Sequence, residues 1–256
     1  MKATVLSKYG SPDFLELQEV AKPAPGDGEV LINIHAASIN SWDREMLMGS
    51  PFANRIMAGL SKPTKIPIQG CDIAGVVEAA GKNVTRFQPG DAVYGDLSGC
   101  GFGGFGENVC ARENALVVKP DSMTFEQAAA IPQAALLALQ GLRDKGQLQP
   151  RQKVLINGAG GGAGSFAVQI AKAYGAEVTG VDSAEKLDAM RATGADHVMD
   201  YTREDYTKAG KTYDLILDFA LHPSIFDCLP ALTSKGNYLV VGDATARILH
   251  TLLAGV

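Results

Sequence analysis

The pattern of apolar and polar positions changes about halfway along the chain. In the first half, short apolar runs are separated by polar turns, and the run at 29–38 alternates in the manner of a half-buried strand. The pattern predicts strands at 3–6, 14–20, 29–38, 72–78, 92–94, 107–110 and 115–119. Residues 43–67 contain three prolines, which restrict any helix there to short pieces. Irregular strands with polar turns indicate a barrel-like or Greek-key module.

The second half alternates strands with helices. After helices at 125–131 and 134–144, the predicted order is strand 154–156, helix 165–174, strand 177–182, helix 184–193, strands 197–201 and 213–219, helix 223–232 and strand 237–242. Such alternation predicts a parallel sheet covered by helices on both faces. We therefore expect an α/β chain with two domains, at 1–122 and 123–256, the second a doubly wound Rossmann sheet.

The strongest candidate site is the glycine turn Gly158-x-x-Gly161-x-x-Gly164, which lies between a buried strand and a helix. Glycine lets the backbone approach a pyrophosphate, whose charge the helix N-terminus receives. A glycine-rich turn also occurs without a ligand, but the next strand ends in Asp182, 18 residues after Gly164. A carboxylate there is placed to bind the ribose hydroxyls of NAD. The predicted cofactor contacts in this half are Gly158, Gly161, Gly162, Ala163, Gly164, Asp182, Ser183, Lys186, Tyr201, Phe219 and Val241.

Composition limits the function classes. The net charge of −5 argues against nucleic acid or an anionic membrane as the main partner. The chain lacks an apolar run of the roughly 18 residues that span a bilayer, and its start lacks a signal-peptide core. The four cysteines form no Cys-x-x-Cys pair, which favours reduced thiols. We therefore expect a cytoplasmic enzyme that acts on a small molecule.

Several ordered motifs together carry a family resemblance. They are Asn40-x-x-Asp43, Gly70-Cys-Asp-Ile-Ala-Gly-Val-Val-Glu78, Gly81-x-x-Val84-x-x-Phe87-x-x-Gly90-Asp91-x-Val93, Ala128-Ala-Ala-Ile-Pro132 and Ala138-Leu-Gln-Gly-Leu142, with the glycine turn. The chain resembles the medium-chain dehydrogenase/reductase superfamily, and most closely its zinc-free quinone oxidoreductase (zeta-crystallin-like) branch. The resemblance spans nearly the whole chain. It implies a GroES-like β-barrel catalytic domain, a Rossmann domain and a substrate cleft between them.

Aligning the motifs with zinc enzymes of the superfamily bears on the metal. Asn40 stands where the first cysteine ligand would be, and Cys71 stands where the histidine would be. A catalytic zinc needs three protein ligands, and an amide is a poor one. The four closely spaced cysteines of the structural zinc lobe are also missing. We therefore expect no zinc, and a conjugated carbonyl or quinone as the acceptor, because such acceptors need less Lewis-acid assistance than an alcohol.

The resemblance implies roles for three residues of the first domain. Asn40 would lie near the nicotinamide and donate from its amide to the developing oxyanion, as the catalytic and a cofactor-binding residue. Its structural alternative is a turn-forming Asn at a strand end. Trp42 and Phe102 would line the substrate pocket, with Trp42 as a flat apolar wall. The loop 99–106 is interpreted either as a mobile loop or as an active-site edge on which Phe102 and Phe105 swing.

The dinucleotide itself stays open between NADH and NADPH. Asp182 favours NADH, because its charge repels the 2′-phosphate of NADPH. The resemblance favours NADPH, and Lys186 is long enough to reach past Asp182. The structural alternative for Asp182 is an N-cap of the following helix.

Two departures from the family keep a second function open. Leu137 replaces a threonine that contacts the nicotinamide end, and the chain stops at Val256, within a predicted helix at 247–253, about sixty residues before the family's usual end. The alternative is a degenerate, non-catalytic dinucleotide-binding or interaction protein of the same fold. An incomplete sheet edge near 237–243 also predicts a homodimer, because exposed strand edges invite pairing.

Overall fold

The computed structural model describes residues 1–220 and 224–241. The chain forms two compact units, Met1–Gln133 and Ala134–Val256. Each unit is described separately below.

The first unit is built mainly from short strands. Its strands are β1 Lys2–Leu6, β2 Leu15–Glu19, β3 Glu29–Ala37, β4 Asp72–Ala80, β5 Ala92–Asp96, β6 Asn108–Arg112 and β7 Leu116–Val118. Its α-helices are α1 Ser41–Met48, α2 Phe52–Ala58 and α3 Phe125–Ala129. The strands predicted from the sequence are confirmed, with ends that differ by at most two residues.

All strand pairs of the first unit are antiparallel. β1 pairs with β2, and five strands form a sheet in the order β6-β3-β4-β5-β7. One side of this sheet buries the alternating apolar residues of β3 and β4 in a core that contains Val30, Ile32, Ile73, Val93 and Leu116. A second apolar cluster lies beneath α1 and α2 and includes Met46, Ala58, Cys71 and Phe102.

The second unit alternates strands and helices. It begins with α4 Pro132–Leu139, which starts just inside the first unit and continues into a π-helical segment at Gln140–Lys145. There follow β8 Lys153–Asn157, α5 Gly162–Ala173, β9 Glu177–Asp182, α6 Leu187–Ala192, β10 His197–Asp200, β11 Tyr213–Asp218, α7 Ile225–Cys228 and β12 Leu232–Val240.

These five strands form one parallel sheet in the order β10-β9-β8-β11-β12. Apolar clusters lie on both faces of it, one containing Val154, Ile156, Ala167 and Val168, the other containing Leu155, Ile216 and Cys228. The strand order reverses direction between β8 and β11, which is the switch point where ligands bind in sheets of this type. The predicted Rossmann class is confirmed.

The end of the described sheet departs from the prediction. The helix predicted at 223–232 ends at Cys228, because Pro230 cannot continue a helix interior. β12 therefore begins at Leu232, five residues earlier than expected, and its pairing with β11 changes register between Tyr213 and Leu215. The helix predicted at 247–253 lies outside the described residues.

Candidate functional site

The predicted cofactor contacts of the second unit lie at one edge of the parallel sheet. Gly158, Tyr201, Phe219 and Val241 directly follow β8, β10, β11 and β12, and Asp182 is the last residue of β9. Because the strands are parallel, their carboxyl ends form a single edge. Four strand spacings of about 4.8 Å separate the two outermost strands, so this edge extends over roughly 19 Å.

The glycine turn joins β8 to α5 at the centre of this edge. Gly158 has a φ of 83°, in the left-handed region where a side chain is strained. A Cβ atom at Gly164 would overlap the carbonyl oxygen of Gly158, so Gly164 lets α5 pack against the turn. A Cβ atom at Gly162 would meet nothing within 4 Å. The turn therefore leaves open space beside the first residue of the helix.

The N-terminus of α5 is available to an anion. Its N-cap is Gly161, which offers no side chain to the first N–H groups of the helix, and Ala163 lies in the first turn. The helix is 12 residues long, so its dipole places partial positive charge at this end. Exposed helix N–H groups beside an open glycine position fit a dinucleotide pyrophosphate.

Asp182 is bound to the glycine turn. One carboxylate oxygen, Oδ2, accepts the backbone N–H of Gly160 at 2.9 Å, and Oδ1 accepts the backbone N–H of Ser183 at 2.8 Å. The ammonium group of Lys186 lies 3.1 Å from Oδ1. The N-cap of the following 3₁₀ turn is Ser183, so the interpretation of Asp182 as an N-cap is wrong.

Lys186 also lies across the turn. A Cβ atom at Gly160 would fall within 2.6 to 2.7 Å of the Lys186 side chain. The glycine at this position therefore leaves room for the aliphatic part of Lys186. The Lys186 side chain is 40% exposed and that of Asp182 only 10%. The accessible ammonium group of Lys186 thus lies next to the buried, hydrogen-bonded carboxylate of Asp182. The sequence interpretation named both residues but missed Gly160.

In the first unit, Asn40 follows β3 and is the N-cap residue of α1. Its backbone N–H donates to the Asp43 carboxylate at 2.7 Å, and its amide nitrogen, Nδ2, lies 3.1 Å from Asp72 Oδ2 and 3.3 Å from Ser38 Oγ. Asp43 is therefore a helix-capping residue. Asn40 is held at both its backbone and its side chain.

The surroundings of Asn40 are buried and acidic. Asp43 is buried, and burial raises the pKa of its carboxyl even though its hydrogen bonds to Asn40 and Cys71 act in the opposite direction. Cys71 is fully buried, and its thiol donates to Asp43 Oδ1 at 3.5 Å. Burial and the neighbouring carboxylates raise the pKa of the Cys71 thiol far above its usual range.

Trp42 and Phe102 are packed against each other. Their rings meet edge-on with centroids 5.4 Å apart, and the Trp42 indole N–H donates to Asn54 Oδ1 at 3.4 Å. Phe102 is only 2% exposed and belongs to the apolar cluster beneath α1. This burial leaves Phe102 no room to swing, which corrects the interpretation of it as a movable residue.

Asp72 is the residue of this cluster to which sequence reasoning assigned no role. It is fully buried at the start of β4, and its Oδ2 accepts from Asn40, from the backbone N–H of Gln133 at 3.0 Å and from Ser38 Oγ at 3.4 Å. Burial raises the pKa of its carboxyl to about 7. The sequence offered one indication of such a role, which is the position of this acidic residue at the start of a mainly apolar strand.

The described part of the chain has neither a cluster of metal-ligating side chains nor a membrane-spanning helix. Within residues 1–220 and 224–241, no group of three or more His, Cys, Asp or Glu side chains is arranged to hold a metal ion. Over the same residues, no helix has the length and apolar character required to cross a bilayer.

Two family models match the chain. The alcohol dehydrogenase GroES-like domain matches residues 26–121, and the zinc-binding dehydrogenase domain matches residues 162–251. The first match confirms that the antiparallel unit is GroES-like. The second falls on the unit that carries the parallel sheet.

Sequence relatives are oxidoreductases. The mitochondrial NAD(P)H oxidoreductase RTN4IP1 of Mus musculus is 38% identical over 85% of this chain and 59% of its own length. The 2-methylene-furan-3-one reductase of Solanum lycopersicum is 35% identical over 85% and 56%. The quinone oxidoreductase of Sus scrofa is 31% identical over 95% and 73%. The chain thus spans less than two thirds of the length of the first two relatives.

A solved structure supports the same grouping. An alcohol dehydrogenase superfamily protein from Novosphingobium aromaticivorans is 32% identical, with a TM-score of 0.80 over 100% of this chain and 81% of its own.

Proposed function

The chain belongs to the quinone oxidoreductase branch of the medium-chain dehydrogenase/reductase superfamily, and from that premise we propose that it reduces a quinone or an α,β-unsaturated carbonyl with NADH or NADPH. The observation that carries this proposal is the open glycine turn with the exposed N-terminus of α5. The names of the tomato and pig relatives support an enone or a quinone as the acceptor class.

The glycine turn has a defined part in this proposal. The N–H groups that follow Gly161 would bind the pyrophosphate, and the open face of Gly162 would admit it. Ser183, Lys186 and Tyr201 would face the adenosine half, while Phe219 and Val241 would contact the dinucleotide from the neighbouring strand ends. The bound nicotinamide supplies the hydride, and the protein supplies position and exclusion of water.

Asn40 would serve the acceptor oxygen. An amide has two N–H bonds, and the Asn40 nitrogen lies within hydrogen-bond distance of Asp72 Oδ2 and Ser38 Oγ. The bond to Ser38 is the longer of the two, at 3.3 Å. We propose that one N–H stays on Asp72 while the other donates to the oxyanion that develops on the substrate, in place of Ser38. Trp42 would form an apolar wall for a flat substrate, with Phe102 supporting it from behind.

We propose that Lys186 allows NADPH to bind as well as NADH. Asp182 accepts the backbone N–H groups of Gly160 and Ser183, and its charge is offset by Lys186, so its repulsion of a 2′-phosphate is reduced. The Lys186 ammonium is accessible to such a phosphate. Asp182 still favours NADH through the ribose hydroxyls, so both cofactors would bind.

The reaction is proposed to proceed without zinc. The donor set around Asn40 suits a metal poorly, because its amide nitrogen faces Asp72 and the Cys71 thiol is hydrogen-bonded to Asp43. An electron-poor acceptor needs no Lewis acid to accept a hydride.

Assembly and location are also proposals. β12 is the outermost strand of the described sheet, and pairing of two such edges would give a homodimer. Light scattering across a dilution series tests this, and a monomer at every concentration would contradict it. A cytoplasmic location is tested by cell fractionation.

The proposed activity is tested by steady-state oxidation of NADH and NADPH with a panel of acceptors. We expect turnover with 1,4-benzoquinone and with a simple enone, and none when a saturated alcohol is supplied with the oxidised cofactor. Saturable dinucleotide binding without turnover of any acceptor would instead support a non-catalytic, degenerate relative.

A further inference from the structure

Asp72 joins three parts of the first unit through a single oxygen atom. Its Oδ2 accepts the Asn40 amide at 3.1 Å, the Ser38 hydroxyl at 3.4 Å and the backbone N–H of Gln133 at 3.0 Å. Ser38 lies at the end of β3, Asn40 begins α1, and Gln133 lies in the first turn of α4. The carboxyl group thus fixes the Asn40 side chain relative to two other elements.

The other oxygen of Asp72 has a different environment. Oδ1 is buried and has no hydrogen-bond partner among the described residues. The charged groups that act on this carboxyl are other carboxylates, Asp96 at the end of β5 and Asp43 on α1, and the neighbouring thiol is Cys71. A proton on Oδ1 would leave every hydrogen bond to Oδ2 in place. The arrangement therefore needs Oδ2 as an acceptor but does not need a negative charge on the Asp72 carboxyl group.

We propose that Asp72 is a positioning residue of the reductase, which holds one N–H of the Asn40 amide through Oδ2 so that the other N–H faces the acceptor oxygen. This inference rests on the proposed function. Asn40 has a freely rotating side chain unless something fixes it, and a misplaced donor loses most of its value in the transition state. The buried carboxyl supplies that fixed point.

Two substitutions of Asp72 distinguish the effect of its hydrogen-bond-accepting oxygen from the effect of its negative charge. Asp72→Asn keeps an oxygen that accepts from Asn40, Ser38 and Gln133, whereas Asp72→Ala removes it. We expect kcat of Asp72→Ala to fall about tenfold or more, with KM for the dinucleotide within about twofold, because the glycine turn is untouched. We expect Asp72→Asn to retain kcat within about threefold. Asp96→Asn removes a neighbouring charge that makes no bond to Asn40, and its kcat should equal that of the native protein.

A double-mutant cycle tests whether Asp72 acts through Asn40. Asn40→Ser keeps a side chain that can cap α1 but lacks the amide. If the proposal holds, Asp72→Ala causes no further loss of kcat in the Asn40→Ser background. Equal losses in both backgrounds, or a loss in Asp72→Asn as large as that in Asp72→Ala, would overturn it.

A measurement without substrate keeps this test independent of the proposed activity. The side-chain NH₂ resonances of Asn40, observed by NMR, should be shifted from the values of a solvent-exposed amide and protected from exchange with water in the native protein and in Asp72→Asn, and should lose this shift and protection in Asp72→Ala. If the native protein shows these NMR signals but turns over no acceptor, the proposed function fails, while the inference that Asp72 holds the Asn40 amide stands. Unchanged Asn40 resonances in Asp72→Ala would show that Asp72 does not hold the amide.

Discussion

The backbone N–H of Gly160 donates to the carboxylate of Asp182 across 2.9 Å, so the glycine turn after β8 is fastened to the end of β9. The glycine sequence and the acidic residue are usually considered as separate contacts to the cofactor. In this chain they are joined by a hydrogen bond within the protein, and Lys186 pairs with the same carboxylate. Pre-formed binding groups lose less freedom when the ligand arrives.

The first prediction separates two glycines of the turn. Gly162→Val should fold normally, because a Cβ there meets no atom within 4 Å, but its side chain would occupy the pyrophosphate space. We expect dinucleotide affinity to fall at least about tenfold, which is about 1.4 kcal/mol. Gly164→Val should instead lower the melting temperature, because its side chain would overlap Gly158. Calorimetric titration and thermal melts check both, and equal melting losses would contradict the distinction.

The second prediction concerns Lys186. Lys186→Met keeps the aliphatic stem over Gly160 and removes the ammonium group. We expect the affinity for NADPH to fall about tenfold more than that for NADH, because only NADPH carries a 2′-phosphate to pair with the cation. Arg191, whose guanidinium is 2.7 Å from Asp188, provides a matched control through Arg191→Met. An unchanged NADPH-to-NADH ratio in Lys186→Met would remove Lys186 from the cofactor site.

The third prediction concerns metal content. We expect the purified protein to contain no stoichiometric zinc, and chelators to leave turnover unchanged, because Asn40 and Cys71 are already engaged with carboxyl groups. Elemental analysis after dialysis is the measurement. About one zinc per chain, with activity that chelators abolish, would refute this expectation.

The fourth prediction uses the pKa of Asp72, which burial raises to about 7. The folded protein then keeps a proton that the unfolded chain loses near pH 4, so the stabilisation from this proton is lost as pH rises through about 7. Relative to the native protein, Asp72→Asn should therefore gain stability with rising pH, by at most about 4 kcal/mol. Asp43, whose pKa is also raised, remains in both proteins and cancels in the comparison.

Urea unfolding of both proteins between pH 5 and pH 8 measures this difference. A difference in unfolding free energy that stays constant over the range would show that Asp72 does not hold a proton in the folded state.

The sequence predicted the elements whose signals are local. Strands β1 to β11 and the turn at Gly158 follow from apolar periodicity and glycine spacing. The end of the described sheet was predicted less well, because the start of β12 depends on pairing with β11 across a register shift. Periodicity carries no information on such a long-range contact.

The candidate site divides in the same way. Asp182 and the glycines were found from spacing, but the bond between Gly160 and Asp182 requires the two strands to be neighbours. Asp72 and Gln133 are 61 residues apart, and no sequence pattern links them. Phe102 was placed on a movable loop because glycines surround it, whereas the structure buries it in an apolar cluster. Tertiary packing decided these positions.

The most direct test of the central claim follows the hydride itself. The protein is given NADH or NADPH that carries deuterium at the transferred position of the nicotinamide, together with an enone acceptor, and the product is examined by mass spectrometry and NMR. The account predicts one deuterium at the β-carbon of the reduced product, and much slower formation of labelled product by Gly162→Val at a cofactor concentration below the native dissociation constant. Saturable binding of the labelled cofactor by the native protein, with no deuterium in any enone or quinone product, would contradict it.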